Sequence, residues 1–196
     1  MTAWQWLGRA EFGAVLAEQL AARERVWAGE PGVIFLCEHA PVITLGRSAT
    51  TTNILDAGDI PIVRIERGGE VTYHGPGQLM VYPVVRLRSV VAFLERVAGA
   101  IAETCAAFGA PGAVWQRDPA GVWLDGKKLA ACGIHVARGV SVHGFALDVD
   151  TPPDAWRAIR PCGLDVRQVS LAGARGAPIA VAEVAHELGP RVSRAV

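Results

Sequence analysis

The sequence predicts a single domain of mixed α and β structure, and three observations carry that prediction. Apolar residues recur at helical spacing in three long segments, short apolar runs bounded by Gly and Pro lie between them, and 196 residues suffice to bury one core. No internal repeat or linker divides the chain, so residues 1–196 read as one domain.

Taken in order, residues 4–7 form a short strand, and Phe12, Val15, Leu16, Leu20 and Val26 define an amphipathic helix from about 11 to 28, ended by Gly29 and Pro31-Gly32. Strand-like runs follow at 33–37, which leads into Glu38-His39-Ala40-Pro41, at 42–45 and at 60–65, with a polar loop over 46–52. Ser89 is an N-cap for a second helix running to about 108, with Phe93, Val97, Ile101 and Cys105 on one face and Gly109 as its stop. Asp125-Gly126 closes a two-residue hairpin that places Lys127 and Lys128 on opposite faces of the returning strand. That strand runs through Val136 to a second turn at Arg138-Gly139 and returns as 140–149. A two-residue turn there sets Gly133 opposite Gly144, leaving a patch of sheet bare enough for a flat substrate or an acyl chain. A short helical piece surrounds Trp156, the segment 160–164 is loop, and a last amphipathic helix spans 178 to about 188 before a polar, frayed tail.

Composition narrows the function. The 19 basic and 19 acidic residues balance, which argues against a nucleic-acid footprint and against attraction to an anionic membrane. Four cysteines lie far apart with no Cys-x-x-Cys pair, so neither a metal knuckle nor a disulfide framework is indicated, and free thiols fit a reducing compartment. No secretory leader and no transmembrane-length apolar run is evident, which makes the cytoplasm the expected location.

Polar and glycine-rich residues concentrate at 67–82, between two strand-like flanks, where Arg67, Thr72, His74 and Gln78 are held on a rigid edge. Gly68, Gly69 and the Gly75-Pro76-Gly77 turn expose backbone N–H groups that a ligand could use. Elsewhere, Cys162 stands between Pro and Gly on a loop, a setting for a nucleophile if a cation or helix N-terminus favours its thiolate. Lys128, His39, His74 and His143 are its candidate partners. An inward-pointing Lys128 would stabilise the thiolate, and desolvation would fit it to proton transfer.

Three segments then carry a resemblance: RGGEVTYHGPGQLMVYP at 67–83, GKKLAACGIHV at 126–136 followed by HGFAL at 143–147, and RPCGL at 160–164. Together with EHAPVITLGR at 38–47, they resemble the lipoyl(octanoyl) transferase family over most of the chain. The resemblance implies an α/β fold with a mixed sheet flanked by helices, like the catalytic domain of lipoate and biotin protein ligases. It implies the first step of endogenous protein lipoylation, transfer of an octanoyl group from octanoyl-acyl carrier protein to a lysine of a lipoyl domain, in 2-oxoacid dehydrogenase complexes or the glycine cleavage H protein. Cys162 falls on the family's nucleophile and Lys128 on its acid and base. Its substrate contacts fall on Arg67, Gly68, Gly69, Glu70, Val71, Thr72, Tyr73 and His74, on Ala131, Cys132 and Gly133, and on Gly144, Phe145 and Ala146. A thioester donor is already activated, so neither cofactor nor metal is implied. Cys132, His135 and Asp148 depart from the usual pattern, with Asp148 standing where Asn is common; Cys132 reads as a packing residue. The alternatives are an ATP-dependent ligase on the same scaffold, a non-catalytic protein that binds acyl carrier or lipoyl domains, and a thiol hydrolase.

Overall fold

The structure is a computed structural model that describes residues 1–160 and 167–196. In chain order it contains β1 (Ala3–Ala10), α1 (Phe12–Trp27), β2 (Val33–His39), β3 (Val42–Leu45), β4 (Ile62–Arg64), β5 (Val71–His74) and β6 (Gln78–Val84). These are followed by α2 (Val90–Ala107), β7 (Val114–Arg117), β8 (Ala120–Leu124), β9 (Lys127–Ala137), β10 (Val140–Asp148), α3 (Leu171–Arg175) and α4 (Val181–Ala195). A 3-10 turn at Pro153–Ala158 is the short helical piece expected around Trp156.

Seven strands make the main sheet, in the order β1-β2-β6-β10-β9-β8-β7, and β4-β3-β5 make a second, smaller one. The period-2 alternation of the strands sorts side chains to the two faces of the main sheet. Ile34, Leu36, Leu79, Val81 and Leu147 pack with α2 and α4, whereas Phe35, Cys37, Met80, Tyr82 and Ala146 pack with α1. On α1, Phe12, Val15, Gln19, Ala22 and Val26 are buried at alternating spacings of three and four, as the helical period requires. Ser89 caps α2 as expected, its hydroxyl accepting from Ala92 N at 3.3 Å.

The division into two sheets was not visible as such in the strand pattern, yet its punctuation was. The chain leaves the main sheet for the small one through Ala40-Pro41 and returns through Gly75-Pro76-Gly77, where proline ends ladder pairing. Both two-residue hairpins are present: Asp125 and Gly126 have φ of 49° and 72°, and Arg138 and Gly139 have 48° and 76°. Arginine is disfavoured there by about 1–2 kcal/mol. Its guanidinium offsets that by stacking 4.0 Å from the Trp27 ring centroid. The turn sets the register that pairs Gly133 with Gly144.

The expected frayed tail after 188 is corrected. Helix α4 continues through Pro190 to Ala195, because its last turns are sewn to the N-terminus. Ser193 Oγ donates to Thr2 O at 2.6 Å, Thr2 N donates to Ser193 O at 3.2 Å, and Val192 is fully buried. Gly189 is what permits the approach: a Cβ there would stand 2.6 Å from the Trp4 ring. An exposed Gly→Ala change inside a helix ordinarily stabilises by about 1 kcal/mol. At Gly189 the opposite sign is expected, a loss of about 1–3 kcal/mol through overpacking against Trp4, measured by urea unfolding. A gain in stability would show that β1 is free to yield.

Candidate active site

Strands β5, β6, β9 and β10, the N-terminus of α1 and the loop before β5 enclose a cavity of about 180 Å3. Its walls are mostly apolar, with Phe12, Ile65, Val71, Met80, Pro119 and Phe145 among them, and Arg67 and Lys128 bring positive charge to it. Both cations are buried, with only 7% and 3% of their surfaces exposed. Lys128 Nζ lies 5.0 Å from the Trp123 ring centroid. The two hairpin lysines do take opposite faces: Lys127 is exposed and Lys128 faces inward.

The loop before β5 is held by its own backbone and by Arg67. Gly68 N donates to Ile134 O of β9 at 3.0 Å. Arg67 Nη2 donates to Thr44 O at 2.8 Å and to Thr44 Oγ1 at 2.9 Å, Nε donates to the same hydroxyl at 3.1 Å, and Nη1 donates to Gly68 O at 3.0 Å. Beyond Thr44 the polar contacts continue through His74 and Gln78 to Asp148. All five groups of this buried row come from different strands or loops.

Of the residues singled out from the sequence, Arg67, Gly69, Glu70, Val71, Thr72, His74, Lys128, Ala131, Cys132, Gly133, Gly144, Phe145 and Ala146 line the cavity. Gly68 acts through its backbone one step behind the wall, and Tyr73 turns away. Strand alternation sends the Tyr73 ring to the far side of the small sheet, edge-on to Trp156 at 6.0 Å between centroids. Cys162 lies outside the described residues. Wall residues that motif reading missed, Phe12, Met80 and Tyr82, carry their signal in the α1 face of β6 and the first buried position of α1.

Two expectations are corrected. The patch over Gly133 and Gly144 is not bare: a Cβ on Gly133 would meet Gly68 O at 3.1 Å and Arg67 Cδ at 3.2 Å, and one on Gly144 would meet Val81 O at 1.9 Å. These glycines let the loop and β6 close in. Likewise two of the turn N–H groups serve the fold, since Gly68 N is committed to Ile134 O and Gly77 N to Glu38 Oε2 at 3.3 Å.

The imidazoles differ in role. His39 is off the wall, its Nδ1–H donating to Ala10 O at 2.7 Å and its Nε2 accepting from the Tyr82 hydroxyl at 3.0 Å. His143 holds φ at 61° where β10 leaves β6, and its backbone N–H donates to Gln19 Oε1 of α1 at 2.8 Å. Burial, with Arg67 nearby, lowers His74 to about 3 and His143 to about 4, so both are neutral near pH 7. Burial also pushes the thiols of Cys37, Cys105 and Cys132 up to about 12 each, Cys132 despite the opposing charge of Lys128. Cys132 is half-buried, packed against the main core as expected of a packing residue, and also lines the cavity wall. His135 faces Glu66 at 3.4 Å. Among the described residues no cluster of His, Cys, Asp or Glu could hold a metal ion, and no helix is long and apolar enough to cross a membrane.

A mixed sheet backed by helices, with an apolar cavity carrying a buried lysine and a buried arginine, defines an α/β domain with a largely apolar, positively charged pocket. The chain belongs to the lipoyl protein ligase A/B catalytic domain family, whose model matches residues 13–191. It is 43% identical over 171 residues to an octanoyltransferase of Gloeobacter violaceus, covering 84% of this chain and 71% of that one. It is 41% identical over 195 residues to an octanoyltransferase of Geobacter metallireducens, covering 94% and 89%. In fold it is similar to a lipoate-protein ligase A bound with ATP, with a TM-score of 0.83 at 15% identity over 99% of this chain and 85% of that one. A biotin protein ligase from Aquifex aeolicus superposes at 0.57 with 13% identity, over 100% and 70%.

Asp148 gives the site a measurable pH signature. Burial raises its carboxyl from 3.8 to about 7, partly opposed by the hydrogen bond from Gln78. Between those values the native state binds a proton that the unfolded state does not, so this group's contribution to stability falls as pH rises. His74 and His143 act in the other direction, because between their lowered values and 6.5 only the unfolded state is protonated. Asp148→Asn removes the first trend alone. Its stability relative to wild type is expected to improve by on the order of 2–4 kcal/mol between pH 4 and pH 8, read from urea denaturation. A difference independent of pH would contradict the raised carboxyl.

Proposed function

We propose that this chain transfers an octanoyl group from octanoyl-acyl carrier protein to the acceptor lysine of a lipoyl domain, by way of a thioester on Cys162 and with Lys128 as acid and base. Residues 1–196 act as one catalytic domain in this reading, and the cytoplasm supplies donor and acceptor. The observation that carries it is Lys128. Lys127 and Lys128 are the only lysines in the sequence, against seventeen arginines, and the buried one of the pair faces an apolar cavity. An arginine cannot give up its proton in a protein, whereas a lysine amine has the chemistry of a general acid and base.

Cys162 is the thiol best suited to the role, since Cys37, Cys105 and Cys132 are all held as protonated thiols. The described chain on either side of 161–166 is anchored near the cavity. Arg160 N donates to Asn53 O at 2.7 Å, and Lys128 N donates to Arg167 O at 2.9 Å. In the reaction the Cys162 thiolate attacks the donor's thioester carbonyl, and the Lys128 ammonium gives its proton to the departing carrier thiolate. The acceptor amine then attacks the enzyme thioester, its proton passes to Lys128, and the Cys162 thiolate is released. The apolar walls take the alkyl chain, and no step requires ATP.

The test is intact-protein mass after mixing with octanoyl-acyl carrier protein in the absence of ATP, followed by a lipoyl domain. Wild type is expected to gain one octanoyl group and lose it as the domain gains it, while Cys162→Ser gains none. An adduct on Cys162→Ser, or transfer that demands ATP, would overturn the thioester route in favour of another nucleophile or an adenylating ligase. Lys128→Arg is expected to lower turnover by roughly 10²-fold or more despite keeping the charge. Full turnover of that variant would leave Lys128 only an electrostatic role.

A further inference from the structure

The buried polar row beside the cavity has a direction, and the direction follows from which atoms can donate. Asp148 offers an oxygen to Gln78 Nε2 at 2.9 Å, and the amide nitrogen of Gln78 can only donate. Asp148 Oδ1 accepts both in the carboxylate and in the acid protonated on Oδ2, which fixes the Gln78 amide, so its Oε1 faces His74 Nδ1 at 2.8 Å and accepts. His74 must then carry its proton on Nδ1, which leaves Nε2 as a lone pair 3.3 Å from Thr44 Oγ1. The Thr44 hydroxyl donates to that lone pair. Both of its own lone pairs are thereby left for Arg67, whose Nε and Nη2 donate to it at 3.1 and 2.9 Å.

The opposite His74 tautomer does not fit. With the proton on Nε2, three donors would converge on Thr44 Oγ1, which accepts two, and the hydroxyl proton would have no acceptor among the described residues. One bond to Arg67 would be lost. We infer that Asp148 is a positioning residue, which by accepting from Gln78 sets the Nδ1–H tautomer of His74 and so fixes the Arg67 guanidinium on the cavity wall. Asp148 touches no substrate in this account. It acts from β10 through β6, β5 and β3, and every group in between is at least nine-tenths buried.

The kinetic half of the inference rests on the octanoyl-transfer reading; the tautomer half does not. The experiment records the long-range 1H–15N spectrum of protein labelled with [15N]histidine, with His74 assigned by its absence from His74→Gln, alongside steady-state transfer to a lipoyl domain. Wild type is expected to show His74 protonated on Nδ1. Asp148→Leu frees the Gln78 amide, and is expected to shift His74 toward Nε2–H and to raise KM for the acyl donor on the order of tenfold, the equivalent of one charged hydrogen bond. Asp148→Asn restores an acceptor oxygen and is expected to recover the Nδ1–H tautomer and most of the loss in KM. Gln78→Met tests the same link should Asp148→Leu fail to fold, and is expected to give Nε2–H. An unchanged Nδ1–H signal in folded Asp148→Leu or Gln78→Met would overturn the inference, as would wild type in the Nε2–H form. If wild type transfers no octanoyl group, the functional reading fails while the tautomer measurement still decides the positioning role.

Discussion

The hydrogen bond from Gly68 N to Ile134 O joins the small sheet's leading loop to β9 of the main sheet, and the cavity exists because that contact can form. A side chain on Gly133 would stand against Gly68 O and Arg67, and one on Gly46 would meet Gly69 O at 2.1 Å. Glycine at these positions is therefore a requirement of close approach between backbones. Arg67 completes the closure by binding Thr44, so the same residue that carries charge to the wall also ties β3 to the loop.

Enclosure then dictates the electrostatics. Loss of water leaves His74 and His143 neutral and the described thiols protonated. The Arg67 guanidinium meets this environment through a set of fixed acceptors, which is how a buried charge is tolerated. Lys128 is placed by different means. Its strand is paired on one side with Trp123 of β8 and, by a bridge, with Gln168 on the other, so the inward orientation follows from hairpin register. A charged wall over an otherwise apolar volume suits a ligand with one polar, reactive end and a long alkyl remainder.

Much of this was legible in the sequence because it rested on local chemistry. The Asp125-Gly126 turn fixed which lysine faces inward, and Arg138-Gly139 fixed the pairing of Gly133 with Gly144 even though arginine is a poor turn residue. What those glycines do was not legible, because periodicity says which positions lack side chains and nothing about what fills the space. The tail beyond 188 was misread for a related reason. Its polar residues look solvated, yet Ser193 finds Thr2 from the opposite end of the chain, a contact that no window of sequence contains. The Tyr73 ring fell on the wrong side since motif membership ignores strand alternation, which separates Tyr73 from His74.

The central claim is that an acyl chain covalently held by the enzyme occupies the cavity beside Lys128 and Arg67. The most direct measurement is a crystal structure of the octanoylated protein, trapped with donor in the absence of acceptor domain and of ATP. The expected result is continuous density from Cys162 Sγ into the space between Val71, Met80 and Phe145, with the thioester within reach of Lys128 Nζ. Octanoyl density on another residue, or an alkyl chain lying outside this cavity, would contradict it.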